Sequence, residues 1–252
     1  MNGRVAIVTG ASRGIGHAIA VKLASQGASL VLCGRDEKLL AEASAKTNGG
    51  HVVAYDLRLP DAGQHVVKEA LQAFGQIDIV VNNAGATKRG DFETLTEEDW
   101  MDGYALKMFG AVRLTRAAWP HLRARKGAVV MISGSGGRTP GPQFTIGGSV
   151  NAALLSFTKA LAELGITDGV QVNCVNPGPV KTARFDKRLA AVAAAHGVDT
   201  DEALRIFIRE EKIMQVGEPE DIAALVAFIL SPHGRYLHGS LIDADGGSTK
   251  TV

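Results

Sequence analysis

The sequence is short of the residues that staple a chain, span a bilayer or carry phenolic chemistry. Its 252 residues include two cysteines, three tyrosines and two tryptophans. Cys33 and Cys174 make no disulfide framework; both lie in apolar, strand-like segments and read as small core residues in a reducing compartment. Basic and acidic residues nearly cancel, 27 against 26. With no basic run present, neither nucleic acid nor an anionic membrane is an expected partner. The longest apolar stretch, Ile222 to Leu230, falls far short of the ~20 residues of a membrane-spanning helix. The seven histidines show no metal-ligand spacing, so no metal is expected. Met1-Asn2-Gly3-Arg4 runs straight into an apolar segment, so no signal peptide is expected and the expected location is the cytoplasm. One absence is more pointed. The tyrosines are Tyr55, Tyr104 and Tyr236, leaving none from Ala105 to Arg235, and no lysine stands between Gly127 and Thr158.

What is present is a series of short apolar runs. Val5-Ala6-Ile7-Val8 is followed by Ser29 to Cys33, His51 to Tyr55, Ile77 to Val81, Ala128 to Ile132, Val170 to Val175 and Ser240 to Ile242. Helical patterns separate most of them. This alternation predicts an α/β fold, a doubly wound, mostly parallel seven-stranded sheet with helices on both faces. There is no repeat, low-complexity tract or linker, so a single domain over 1–252 is expected. Helices are expected over Glu37 to Ala45, capped by Asp36, over Glu97 to Arg123, opened by a Thr96–Asp99 capping box, and over Ser149 to Leu164. Two more, Leu189 to His196 and Glu202 to Lys212, fall in the stretch 183–215, whose alanines and Ile206-Phe207-Ile208 suggest an apolar lid. Pro219 falls in the first turn of a helix opening at Gly217 to Asp221.

Thr9-Gly10-Ala11-Ser12-Arg13-Gly14-Ile15-Gly16 lies between the first strand and the first helix. A helix N-terminus placed there offers unpaired N–H groups and a positive dipole end to a phosphate. Gly10 can take a backbone angle closed to other residues, while Gly14 and Gly16 permit close approach of a pyrophosphate and a neighbouring strand. No Lys-Ser or Lys-Thr follows the final glycine, so an ATP-binding loop is a poor fit.

The Gly-x-x-x-Gly-x-Gly spacing, Asn82-Asn83-Ala84-Gly85, Asn176-Pro177-Gly178-Pro179-Val180-Lys181-Thr182 and Asp245-Gly246-Gly247 occur in one order along the chain. Together they resemble the short-chain dehydrogenase/reductase (SDR) family over essentially the whole length. The resemblance implies a Rossmann-type fold, a nicotinamide dinucleotide, a small-molecule substrate and a homodimer or homotetramer built through the long helices. It implies dinucleotide contacts at Gly10, Ser12, Arg13, Gly14, Ile15 and Gly16. Asp56 and Leu57 are implied at the adenine, and Asn83, Ala84 and Gly85 beside the ribose. Pro177, Gly178, Val180 and Thr182 are implied near the nicotinamide. NAD-binding members place an acidic residue at the end of the second strand; here Gly34 stands there and Arg35 follows. Arg35, with Arg13, can grip a 2′-phosphate through charge-assisted bonds. NADP(H) is therefore expected over NAD(H).

At the reaction centre the resemblance stops. The family uses a Tyr as proton donor, a Lys four residues later, a Ser on the fifth strand and a helical Asn. With Ala152-Ala153-Leu154 in the place of the Ala-Ala-Leu that follows the family's Lys, Gly147 stands at the Tyr position and Asn151 at the Lys position. Gly134 stands at the Ser position and, anchored on Gly110, Lys107 at the Asn position. Positioned acid–base catalysis is worth about 10²–10⁴ in rate, roughly 3–5 kcal/mol. Holding two reactants together is worth more, about 7–11 kcal/mol, so hydride transfer stays feasible if another group supplies the proton. Lys107 and Ser135 are the candidates; Ser133, Gln143 and Thr145 lie nearby with less to recommend them. Gly147-Gly148 weakens the start of its helix by about 1 kcal/mol per residue and leaves space where a Tyr ring would sit. The expected function is an NADP(H)-dependent oxidoreductase acting on a small or medium organic carbonyl, alcohol or conjugated double bond. The alternatives are a non-redox enzyme on the same scaffold and a non-catalytic NADP(H)-binding subunit or sensor.

Overall fold

A computed structural model describes residues 1–251. The apolar runs form seven strands: β1 (Val5–Thr9), β2 (Ser29–Gly34), β3 (His51–Ala54), β4 (Ile79–Asn82), β5 (Ala128–Ile132), β6 (Gln171–Pro177) and β7 (Leu241–Ala244). They make one parallel sheet in the order β3-β2-β1-β4-β5-β6-β7. Side chains alternate across it, and both faces are covered. Ala6 and Val8 pack under helices α1 (Gly14–Ser25) and α9 (Pro219–Ile229). Val5 and Ile7 pack toward α3 (Ala62–Phe74) and α5 (Gly110–Arg125). Burial on both faces is why these strands read as continuous apolar runs. The strand order reverses between β1 and β4, so a crevice opens at their carboxyl ends. Among the described residues, no helix is long and apolar enough to cross a membrane.

Several boundaries move from their expected places. β4 starts two residues later than the apolar run at Ile77. The Asp78 carboxylate takes the Val5 N–H (2.8 Å) and Arg125 Nε (2.9 Å), and regular pairing begins beyond it. The expected caps form: Asp36 accepts from Leu39 N at the start of α2 (Glu37–Ala45), and Thr96 and Asp99 close a capping box on α4 (Glu97–Gly103). The single helix expected from Glu97 to Arg123 is three pieces. A π-helical turn, Tyr104–Phe109, separates α4 from α5. Its widened turn is bracketed by Gly103 and Gly110, and a Cβ on Gly103 would lie 2.7 Å from Ile146 Cγ2. Helix α6 runs from Thr145 to Asp168, so Gly147 and Gly148 lie inside it. In the stretch 183–215, α7 (Ala183–His196) and α8 (Thr200–Glu211) pack on each other, with Phe185 and Phe207 edge-to-face at 5.1 Å. Phe207 is buried in that small core, with Ile208 packed against it, and Ile206 is buried as well.

Thr9, the last residue of β1, is 1% exposed. Its hydroxyl donates to Val81 O (3.3 Å) and accepts from both Asn83 N and Ala84 N (2.9 Å each). Asn83 Nδ2 returns a bond to Thr9 O at 2.9 Å. Thr9→Val keeps the shape and strands two amides. The expected loss is about 2–4 kcal/mol of unfolding free energy, read from the urea midpoint; an unchanged midpoint contradicts the role given to the hydroxyl.

Candidate functional site

Three loops meet over the crevice. In the first, Gly10 and Gly14 have φ of +64° and +57°, conformations that favour glycine. A Cβ on Gly16 would overlap the Gly10 carbonyl and the Asn83 amide, so the loop lies flat against the β4 end. Arg13, the extended N-cap of α1, gives no side-chain capping bond, and the first turn holds no acidic residue. The first-turn amides, which include those of Ile15 and Gly16, and the positive dipole end therefore stay open to an anion. Ser12 lies half-buried just before them. The second loop is Asn83-Ala84-Gly85, fixed by the Thr9 bonds. The third follows β6: Pro177 ends the strand, Gly178 packs on Asp245, and Val180 bridges to Gly217. A Cβ on Gly14 would lie 3.2 Å from Thr182 Cγ2, so the first and third loops touch. Flat glycine backbone beside an uncapped helix N-terminus is a cradle that fits a dinucleotide's pyrophosphate.

At the end of β2, Arg35 is 62% exposed, with Nη1 3.8 Å from Asp56 Oδ2. The other Asp56 oxygen accepts from Arg58 N at 3.0 Å. Leu57 is buried and packs against Gly110. Among the described residues, no group of three or more His, Cys, Asp or Glu is placed to hold a metal.

Lys107 leaves the π-helical turn and crosses Gly85, where a Cβ would lie 2.8 Å from Lys107 Cδ. Its Nζ donates to Ser133 O (2.7 Å) and Asn151 Oδ1 (2.6 Å). Burial pushes the ammonium pKa down to about 8, and the nearby Arg184 charge pushes it the same way. The side chain is thus a partly buried one with two defined partners, not a freely solvated lysine. Asn151, 3% exposed, also lies against Gly134, where a Cβ would sit 2.9 Å from its Nδ2. Ser133 Oγ donates to Asn151 O at 3.0 Å, which commits that hydroxyl to backbone. Ser135 is partly exposed and opens a 3₁₀ turn, its carbonyl accepting from Arg138 N and Thr139 N.

The space expected beside Gly147 is not empty. A Cβ there would overlap the Phe144 ring, which fills the notch. Arg89 covers that ring, its guanidinium 4.0 Å from the centroid. Gln143 turns away to Asp91 (3.1 Å), and Thr145 Oγ1 is buried without a partner. Arg184, in the first turn of α7, donates to Gly85 O at 3.0 Å. Phe144, Arg89, Asn151 and Arg184 were not singled out from the sequence as working side chains. A glycine three residues after a phenylalanine in one helical turn was the available signal for the first; the others come together only through the fold.

Residues 10–249 match the family model described as enoyl-(acyl carrier protein) reductase. An uncharacterized oxidoreductase of Mycobacterium tuberculosis is 33% identical over 255 residues, covering 99% of this chain and 93% of that protein. Among solved structures, L-sorbose reductase from Gluconobacter frateurii, complexed with NADPH and L-sorbose, is 34% identical. It superposes with a TM-score of 0.94 over 100% of this chain and 98% of its own. YwfH, an NADPH-dependent reductase involved in bacilysin biosynthesis, is 28% identical with a TM-score of 0.88 over 99% of both chains. The parallel sheet, the three loops at its switch point and these full-length matches agree, and the chain belongs to the short-chain dehydrogenase/reductase family of oxidoreductases.

Proposed function

We propose that the chain is an NADP(H)-dependent reductase of a small organic carbonyl, in which Lys107 delivers the proton that a tyrosine delivers elsewhere in the family. The observation that carries this reading is the 2.6 Å bond between Lys107 Nζ and Asn151 Oδ1. The family pattern has Lys at position 151 and Asn at position 107. Here the same two residue types stand transposed and bonded, so an ammonium still reaches the gap from the opposite side.

An ammonium carries three hydrogens. Two go to Ser133 O and Asn151 Oδ1, and the third is available to a substrate oxygen. A pKa near 8 suits a proton donor working close to neutrality. Ser135, which opens the turn after β5, is the group assigned to hold that oxygen. When bound, the dinucleotide supplies a hydride from its nicotinamide. The α1 N-terminus with Gly10, Ser12, Gly14, Ile15 and Gly16 receives the pyrophosphate. Asp56 and Leu57 flank the adenine, Asn83, Ala84 and Gly85 the ribose, and Pro177, Gly178, Val180 and Thr182 the nicotinamide end. Arg13 and Arg35 take the 2′-phosphate. The exposed, loose Arg35–Asp56 pair is worth little, so the guanidinium is free to turn to a phosphate. The NADPH bound to L-sorbose reductase and the NADPH-dependence of YwfH support the choice of nucleotide.

One observation favours a second reading, a non-catalytic NADP(H)-binding subunit: the Phe144 ring fills the notch at Gly147. NADPH bound tightly but never oxidised across a broad carbonyl panel selects that reading.

Two measurements test the first. Arg35→Asp is expected to weaken NADPH by roughly tenfold or more while leaving NADH nearly unchanged; calorimetry giving equal losses removes the phosphate assignment. In the pH–rate profile of NADPH oxidation, the donor must be protonated, so the rate falls as pH rises through about 8. Arg184→Met removes a repulsive charge and is expected to move that falling limb to higher pH. Lys107→Met is expected to lower the rate about 10²–10⁴-fold. A wild-type profile that stays flat across this pH range rejects Lys107 as donor.

A further inference from the structure

Positive charge gathers beside Lys107, where Arg184 and, next to it, Arg89 and Arg188 cluster, in a chain whose net charge is only +1. Arg89 stands on the Phe144 ring, which fills the notch at Gly147. Arg184 caps the gap from α7 by bonding Gly85 O, and Gly85 lies against the Lys107 stem. Arg188, four residues on and therefore on the same face of α7, lies 4.5 Å over the Phe207 ring and is bonded to Glu211. The charges sense one another. Burial lowers the Arg89 pKa, and Arg188 and Arg184 lower it further, opposed by Glu211. Burial also lowers that of Arg184, with Arg13 adding to it. Glu211 is already committed to Arg188. Like charges gathered around a cleft raise the local concentration of anions, and guanidinium groups match the planar fork of an oxyanion.

We infer that the molecule reduced here carries an oxyanion, a carboxylate or a phosphate, held by Arg89, Arg184 and Arg188 above Lys107. The inference rests on reading the gap as a reaction centre, and it names the substrate class of that centre. Arg89 and Arg188 stand on Phe144 and Phe207 rather than at the glycine loop, which separates this charge from that meant for the dinucleotide phosphates. The arrangement gives the anion a second effect. It offsets the Arg184 charge, which adds to burial in depressing the Lys107 pKa, so the proton donor is held protonated to higher pH when the substrate is seated.

The test is calorimetric titration of the full chain with malonate and, separately, with inorganic phosphate, both with and without saturating NADPH. Saturable binding is expected in both states, weakened about tenfold by Arg89→Met and by Arg188→Met. Arg89→Lys, which keeps the charge and loses the fork, is expected to fall between Arg89→Met and wild type. Melting curves of the variants establish that they are folded, and Arg89→Lys alone decides the matter if Arg89→Met is not. The tighter probe names the source, carboxylate or phosphate. Three outcomes overturn the proposal: no saturable binding of either probe, binding abolished by NADPH, or affinities unchanged in the folded arginine variants. A chain that fails to bind NADPH loses the dinucleotide reading instead, and the titrations of the free protein still decide the oxyanion site.

Discussion

The Thr9 hydroxyl has three partners, and the crevice takes its shape from them. It joins the end of β1 to Val81 O and to the amides of Asn83 and Ala84. These two strands are neighbours in space but separated by two strands in sequence, so no local turn positions one against the other. The hydroxyl does so from within the sheet, where an unmade bond has no water to replace it. With Asn83 fixed, Gly16 is the only kind of residue that lets α1 approach, since a Cβ would overlap both Gly10 O and the Asn83 amide. One side chain at a strand end thus aims a helix N-terminus into the crevice, a geometry suited to an anion.

Lys107 carries a cost that the proposed proton-donor role would account for. Moving its pKa from 10.5 to about 8 corresponds to a penalty on the charged form of about 3 kcal/mol. No nearby anion offsets it. Cys174 is close, but burial pushes its thiol up to about 12, so it stays neutral at pH 8. The bonds to Ser133 O and Asn151 Oδ1 hold the nitrogen in place without neutralising it. In the proposed reading, a cation held this way with no counter-charge serves as an acid, and perturbation of this kind gathers at reactive sites.

What could be read from the chain follows from the range of the interactions. Strand runs, the glycine loop and the caps at Asp36 and Thr96 are local: each is settled by residues within a few positions of one another. The π-helical turn at Tyr104–Phe109 was missed because an inserted residue inside a long amphipathic pattern barely disturbs the 3.6-residue period. Register puts Lys107 and Ser135 among the candidates, but register says nothing of bonds. Lys107 meets Asn151 across 44 positions and Ser133 across 26, and Arg184 meets Gly85 across 99. The expectation of a vacancy at Gly147 failed for a related reason. Removing a side chain leaves space only where nothing can move in; close packing draws a neighbour in, and Phe144 is three residues away.

The glycines of the gap explain how the proposed rearrangement fits one backbone. Gly85 has no Cβ where the Lys107 stem passes, Gly134 none where the Asn151 amide lies, and Gly147 none where the Phe144 ring sits. Each substitute therefore occupies volume that a side chain at a glycine would claim. The three exchanges are sterically coupled: a larger residue at any of these glycines displaces the group that replaced it, not solvent. Lys107 reaches the gap only because Gly85 lets it cross, and it ends on Asn151 only because Gly134 leaves that amide room. In the proposed reading the centre is consequently a refilled one, its proton donor, its anchor and its apolar wall each brought from a different element into space the glycines leave.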